Sequence, residues 1–291
     1  MLTRAGSLPQ RVISRCAFVW PFSWAFFVLF RLTGQVKRVP VKLLTTFGAF
    51  SYSQDGWHHY TAALKEMDQE PKTNPENSIL NTFYHRFSPK PGDSYLPVHD
   101  QDYWQSTKAC YLPPWGGGRV VTFSNRMEQW TGPKTEDDIS FHFNHLKTLC
   151  ARIRSEGFRP WSYRDGYIRI CVLENDNGDL RYLVVGGQHR AAIISHLGYS
   201  SVWARLQPQH SIYPGTMPNR IKFSEIDSWT EVVSGLFTHQ DARGFFESYF
   251  KYDGRQQASA LGLSSSNTLR APSAAFQGTC DGTSQEGATQ A

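Results

Sequence analysis

Apolar positions recur at helical spacing in several separate stretches of the chain, and between them they switch to alternating or continuous runs. Trp57, Tyr60, Leu64 and Met67 fall on one face and predict a helix, with Asp55 as its cap. Ile79, Leu80, Phe83, Tyr84 and Phe87 predict a second helix, capped at Asn77 or Ser78 and stopped by Pro89 and Pro91. Thr135-Glu136-Asp137-Asp138 has the form of a capping signal for a third, whose face is Phe143, Leu146, Cys150 and Ile153. Tyr167 to Leu173 and Leu180 to Val185 read as strands joined through Asn177-Gly178 as a hairpin. Gly186-Gly187 then turns the chain into a short helix carrying Ala192, Ile193 and Leu197, and Gly198 sits where a left-handed cap falls. Val202 to Leu206 is the next strand. Two more helices, Trp229 to Leu236 and His239 to about Tyr252, present Val232, Val233, Leu236, Phe245, Phe246, Tyr249 and Phe250 for packing.

Two stretches escape this periodicity. Residues 88–134 are rich in Pro, Gly, Trp and Tyr, as a long functional loop or arm is. Its centre, Pro113-Pro114-Trp115-Gly116-Gly117-Gly118-Arg119, lacks the Lys-Ser/Thr ending of a P-loop and reads as a flexible turn. From Gly254 onward Ser, Gly, Ala, Gln and Thr predominate, which predicts a disordered tail. The chain thus divides into a leader (1–54), a helical and loop region (55–134), a sheet domain with a C-terminal helix pair (135–253) and a tail (254–291). The fold class predicted is α+β, with a small mixed sheet flanked by N-terminal and C-terminal helices.

Charge changes the picture of the leader. Residues 1–54 hold seven Lys or Arg and no Asp or Glu, whereas the remaining 23 basic residues face 25 acidic ones. Within this leader Cys16 to Phe30 is strongly apolar, shorter than the ~20 residues of a crossing helix. No small-residue cleavage site follows it, which argues against a secretory signal. A buried core helix and a membrane-surface anchor both fit; the aromatic residues Trp20 and Trp24 between flanking cations favour the anchor, over residues 12–38. The expected location is cytoplasmic, peripheral on the inner face of the cell membrane. The near-neutral body lacks the basic stripe that nucleic-acid backbones require. Five widely spaced cysteines with no Cys-x-x-Cys read as free thiols.

The strand, glycine turn and helix at 182–198 concentrate the candidate chemistry. Such a turn presents unpaired N–H groups and a positive dipole end to one small volume, and Arg190 adds a guanidinium suited to phosphate. His58, His59 and His85 read as ordinary hydrogen-bonded histidines rather than metal ligands. His142 and His145, three apart, share a helix face without specifying a metal.

The stretch Gly186-Gly187-Gln188-His189-Arg190-Ala191-Ala192, with Leu197-Gly198-Tyr199 and a closing strand after it and the helix Leu146 to Pro160 before it, resembles the ParB/sulfiredoxin superfamily. The resemblance spans about residues 140–207. It implies a sheet of that type and a nucleotide-phosphate site at Gly186, Gly187, Gln188, His189 and Arg190. Its acting residues would be His189 and Arg190, and its cofactor a nucleoside di- or triphosphate with Mg²⁺. Gln188 stands where sulfiredoxins carry their reactive cysteine, so sulfinic acid reduction is not expected. The activity implied is phosphoryl transfer to a small or membrane-linked acceptor. A fainter whole-chain likeness, through Asp55-Gly56-Trp57-His58 and Pro114-Trp115-Gly116, is to bacterial proteins that accompany surface-polysaccharide synthesis. Glu136, Asp137, Asp138 and Asp176 are the candidates for Mg²⁺ ligand or general base. Two other readings stay open: a ParB-like DNA-associated or nuclease-like protein, and a non-catalytic structural or interaction protein.

Overall fold

The computed structural model describes residues 28, 31–32, 34–87, 113–116, 132–162, 166–207 and 218–263. Nearly all of the apolar part of the leader, residues 88–112 and 117–131 of the loop, and residues 264–291 lie outside these, as do the anchor and disorder expectations that fall on them.

Seven strands among the described residues form one mixed sheet: β1 (Val36–Pro40), β2 (Leu44–Thr46), β3 (Phe50–Ser51), β4 (Ile168–Glu174), β5 (Leu180–Gly186), β6 (Ser201–Leu206) and β7 (Arg220–Lys222). The order is β1-β6-β4-β5-β2-β3. β4 is its centre. It pairs antiparallel with β5, parallel with β6 along Ile168–Ile170, and parallel with β7 along Val172–Glu174. A strand covered on both faces must be apolar on both, and β4 is buried at five of its seven positions. Ile168 and Ile170 enter one core; Cys171 and Leu173 enter the other.

The first face carries α1 (His59–Gln69), α2 (Ile79–Arg86), α3 (Glu136–Glu156) and α4 (Gln188–His196), which bury Leu64, Leu80, Phe83, Leu146, Ile153 and Ile193 against it. The second face carries α5 (Thr230–Val233) and α6 (His239–Lys251), with Trp115, Phe223, Trp229, Phe245 and Phe246. The class is therefore α+β with a mixed sheet, as the periodicity predicts. The boundaries differ. Residues 36–51 carry three strands of this sheet and are not part of a separate leader, because Val36, Val39 and Leu44 are buried in it. Pro113 to Gly116 is an anchor on the second face: Trp115 is buried against Trp229 and Phe245, and the Pro114 carbonyl accepts from Glu231 N–H. Residues 254–263, predicted to be part of the tail, are ordered into the fold. α7 (Arg255–Ala260) follows Gly254, and Ala258 and Leu263 lie in the first core.

Helix starts follow the predicted capping chemistry at Ser78 and Thr135, and Thr238 caps α6 in the same way: each side chain accepts from a first-turn N–H. Thr135→Ala is expected to cost about 1 kcal/mol of stability, read as a lower denaturant midpoint. α1 differs: its cap is His58, not Asp55, and the ring Nδ1 accepts from Tyr60 N–H at 3.1 Å. The predicted helix Trp229 to Leu236 is only one turn, since Gly235 takes φ +75° after Val233. Cys150 and Cys171 are free, buried thiols. Among the described residues no helix is long and apolar enough to cross a membrane.

Candidate functional site

The glycine turn ends β5 at the exit of the sheet and starts α4. Gly187 is the helix cap, in the left-handed region at φ 79°, and supplies no side chain to the first-turn N–H groups. The start of α4 is thus of the kind that can receive an anion. A Cβ at Gly187 would fall 3.2 Å from Arg190 Nε and 3.3 Å from the Ile168 backbone, so the Arg190 guanidinium lies folded against the turn. A Cβ at Gly186 would fall 2.5 Å from Arg169 Nε. Arg169 pairs with Gly186 across the hairpin, at an irregularity in the β4–β5 register. Two guanidinium groups therefore bracket the two glycines. Gly187→Ala is expected to cost about 1–2 kcal/mol for the left-handed residue and to displace Arg190; a denaturant midpoint unchanged from wild type would contradict it.

The Gln188 side chain is engaged with the neighbouring strand. Its amide donates to Thr46 Oγ1 at 3.2 Å, which ties the turn to β2 and leaves the backbone N–H as its contribution. His189 is engaged as well. Its Nε2 lies 3.1 Å from His142 Nδ1 on α3, and its ring stacks on Tyr60 of α1 at 4.3 Å. Tyr60 Oη is 3.4 Å from the same His142 Nδ1 and 2.8 Å from Tyr84 Oη on α2. His145, one turn on from His142, meets the His189 ring edge-on at 5.1 Å. Four helices thus each contribute to one chain of polar groups. Burial is the main cause that keeps both rings of the pair neutral: it pushes His142 down to about 4 and His189 well below the ordinary imidazole range, where His142, His145, His58 and Arg190 add to the effect.

Beside this chain lies a cleft of about 240 Å³, lined by His145, Leu149, Ile153, Phe158, Arg152, Arg159 and Arg190, with Glu156 the one acid on its wall. Burial and then the charges of Arg190 and Arg152 lower the His145 pKa. The volume matches a phosphate chain better than a whole nucleotide, given the several hundred Å³ of a typical small-molecule pocket.

The acidic candidates are not brought here. Glu136 pairs with His85 at 3.1 Å, Asp138 accepts from the Thr135 hydroxyl and donates its N–H back to it, Asp137 is exposed in the same helical turn, and Asp176 is exposed in the β4–β5 hairpin. Helix-start and turn chemistry account for them. No group of three or more metal-ligating side chains stands together among the described residues. His58 and His59 are core residues, stacked on Tyr52 and Phe83 at 4.2 Å each.

Sequence periodicity overlooked Arg169, Tyr60 and Tyr84 and left His142 and His145 as an isolated pair. A signal was present: a tyrosine on an otherwise apolar helix face carries a hydroxyl that must find a partner once buried. Compared with family models, curated proteins and solved structures, the chain finds no match.

Proposed function

We propose that this chain binds the phosphates of a nucleoside di- or triphosphate at the Gly186–Arg190 turn and transfers a phosphoryl group to a small or membrane-linked acceptor. The observation that carries this is the left-handed, uncapped Gly187 turn with Arg190 folded against it and Arg169 against its neighbour. Backbone N–H groups and fixed guanidinium charges are the groups that hold phosphate and stabilise the charge developing in transfer. The adjoining cleft, with three arginines against one glutamate, has the sign and the size for a phosphate chain. Mg²⁺ accompanies such a nucleotide, bound chiefly through its phosphates. Docking to the inner membrane face through residues 12–38 would present a membrane-linked acceptor, for instance a surface-polysaccharide precursor; Arg31, Leu32, Lys37 and Arg38 of that segment are exposed.

Thermal unfolding of the full chain with ATP, ADP, CTP or GTP and Mg²⁺ tests the site. A ligand at 100 times its Kd stabilises the folded state by about 2.7 kcal/mol. At least one nucleotide is expected to raise Tm by the corresponding several degrees, and Arg190→Ala to abolish that rise. No rise with any of the four, or an undiminished rise in Arg190→Ala, overturns the proposal.

A further inference from the structure

We infer that Phe141, held beside the ring of His145, is the platform on which the base of the nucleotide stacks, with the ribose along α3 and the phosphates inside the cleft. This rests on the phosphate site proposed above and assigns the part of the ligand which that site leaves out. The cleft of about 240 Å³ takes a phosphate chain, so the base and ribose must lie beyond its rim. One wall of the cleft is a single stripe of α3: Glu156, Arg152, Leu149 and His145 follow one another at steps of three or four residues, and all of them line it. Phe141 is the next position of that stripe, four residues before His145, and it is 63% exposed. A lone exposed apolar residue needs no ligand. This one continues the wall of a site. Its ring is parallel to that of His145 within 7°, with centroids 5.8 Å apart, and meets His142 edge-on at 5.7 Å. Two neighbours thus hold an exposed aromatic ring in place, and little order is lost when a flat ligand stacks on it.

Charge along the stripe sets the direction in which a nucleotide lies. Arg152, Arg159 and Arg190 stand at the cleft end, against Glu156 alone. At the other end Asp137 is exposed one turn before Phe141, in the first turn of α3 with Glu136 and Asp138. A phosphate chain is drawn to the first end and kept from the second. By helical rise Phe141 and Arg152 are about 16 Å apart along α3, and His145 and Leu149 fill the interval with a flat and an apolar side chain. Burial, followed by the charges of Arg190 and Arg152, favours the neutral form of His145, which leaves an uncharged ring beside the base. Every base has a π face, so stacking on an aromatic side chain adds affinity without choosing among bases. An aliphatic ligand would gain only from apolar area, for which a leucine serves as well as a phenylalanine.

Isothermal titration of the full chain with Mg²⁺ compares ATP, CTP and GTP with sodium tripolyphosphate, which has the phosphates and no base. Phe141→Ala is expected to weaken nucleotide binding about tenfold and to leave the tripolyphosphate Kd and the ligand-free Tm as in wild type. Phe141→Trp is expected to bind nucleotide at least as tightly as wild type, and Phe141→Leu as weakly as Phe141→Ala. Arg190→Ala is expected to lose nucleotide and tripolyphosphate together. Undiminished nucleotide affinity in Phe141→Ala overturns the platform, and so does an equal loss for nucleotide and tripolyphosphate in that variant. Wild-type affinity in Phe141→Leu overturns it as well, since apolar area alone would then account for the contact. A wild-type chain that binds tripolyphosphate and no nucleotide overturns the platform and leaves an anion site. A wild-type chain that binds neither overturns the phosphate site, and the platform with it.

Discussion

Acidification from pH 7.5 to pH 5 is expected to strip this fold of several kcal/mol of stability. The cause is a column of rings in the first core: Phe87, Phe83, His59, His58 and Tyr52 stack in sequence, with centroids 5.1, 4.2, 4.3 and 4.2 Å apart. His58 Nε2 and His59 Nδ1 have no hydrogen-bond partner in this column. Burial holds His58 down to about 3, and burial followed by the neighbouring His58 holds His59 well below its ordinary value. In the unfolded chain both take up a proton as pH falls through about 6.5. In the folded chain neither does until far lower, so between these limits the unfolded state binds more protons and stability drops with pH. For His58 alone, 1.5 pH units below its unfolded pKa correspond to about 2 kcal/mol. His59, His142 and His189 act in the same direction. Urea midpoints at pH 7.5, 6 and 5 measure the loss. His58→Asn keeps a good cap for α1 and removes one titrating group, so its pH slope is expected to be shallower by about 2 kcal/mol over that interval. An unchanged slope would show that His58 is not held neutral.

The second large effect is at Gly254. Its φ of 88° is left-handed, and a Cβ there would collide with the Trp57 carbonyl oxygen and approach the Phe50 ring. Close approach is needed because Asp253 and Gly254 clamp the entry to α1: the Asp253 carbonyl accepts from Trp57 N–H at 2.8 Å and from Ser51 N–H at 3.4 Å. Gly254→Ala is expected to cost roughly 3 kcal/mol or more, from the left-handed conformation plus a forced backbone displacement. Gly198→Ala separates the two parts. Gly198 has the same sign of φ, at 77°, but nothing within 4 Å of its Cβ position, so about 1–2 kcal/mol is expected. Equal losses in the two variants would mean that the 253–254 clamp is not formed in solution.

The elements with a clear local period were legible along the chain. α2, α3, α4 and α6 start at residues with the expected side chain or glycine, and the Asn177-Gly178 hairpin sits between β4 and β5, with Gly178 at φ 80°. β1, β2, β3 and β7 were not legible, since strands of two to five residues carry too few positions for a period and are defined by their partners. The same holds for Gly254 to Leu263, whose polar composition reads as tail, yet Ala258 and Leu263 are buried in the first core and Arg86 of α2 donates to the Leu261 carbonyl.

At the site, sequence by itself determined the turn: a strand run, two glycines and a helix start that place Gly187 in the left-handed region and Arg190 within reach of it, all inside five residues. Only tertiary structure decided what surrounds that turn. Tyr60, Tyr84, His142 and His189 are separated by up to 129 positions in the chain and come together within hydrogen-bonding reach through the packing of α1, α2, α3 and α4 on one face of the sheet. Backbone conformation at a glycine is a local property and is written locally. Partnership between buried polar groups depends on which helix faces meet, and that is settled by the burial of apolar surface far from any of them.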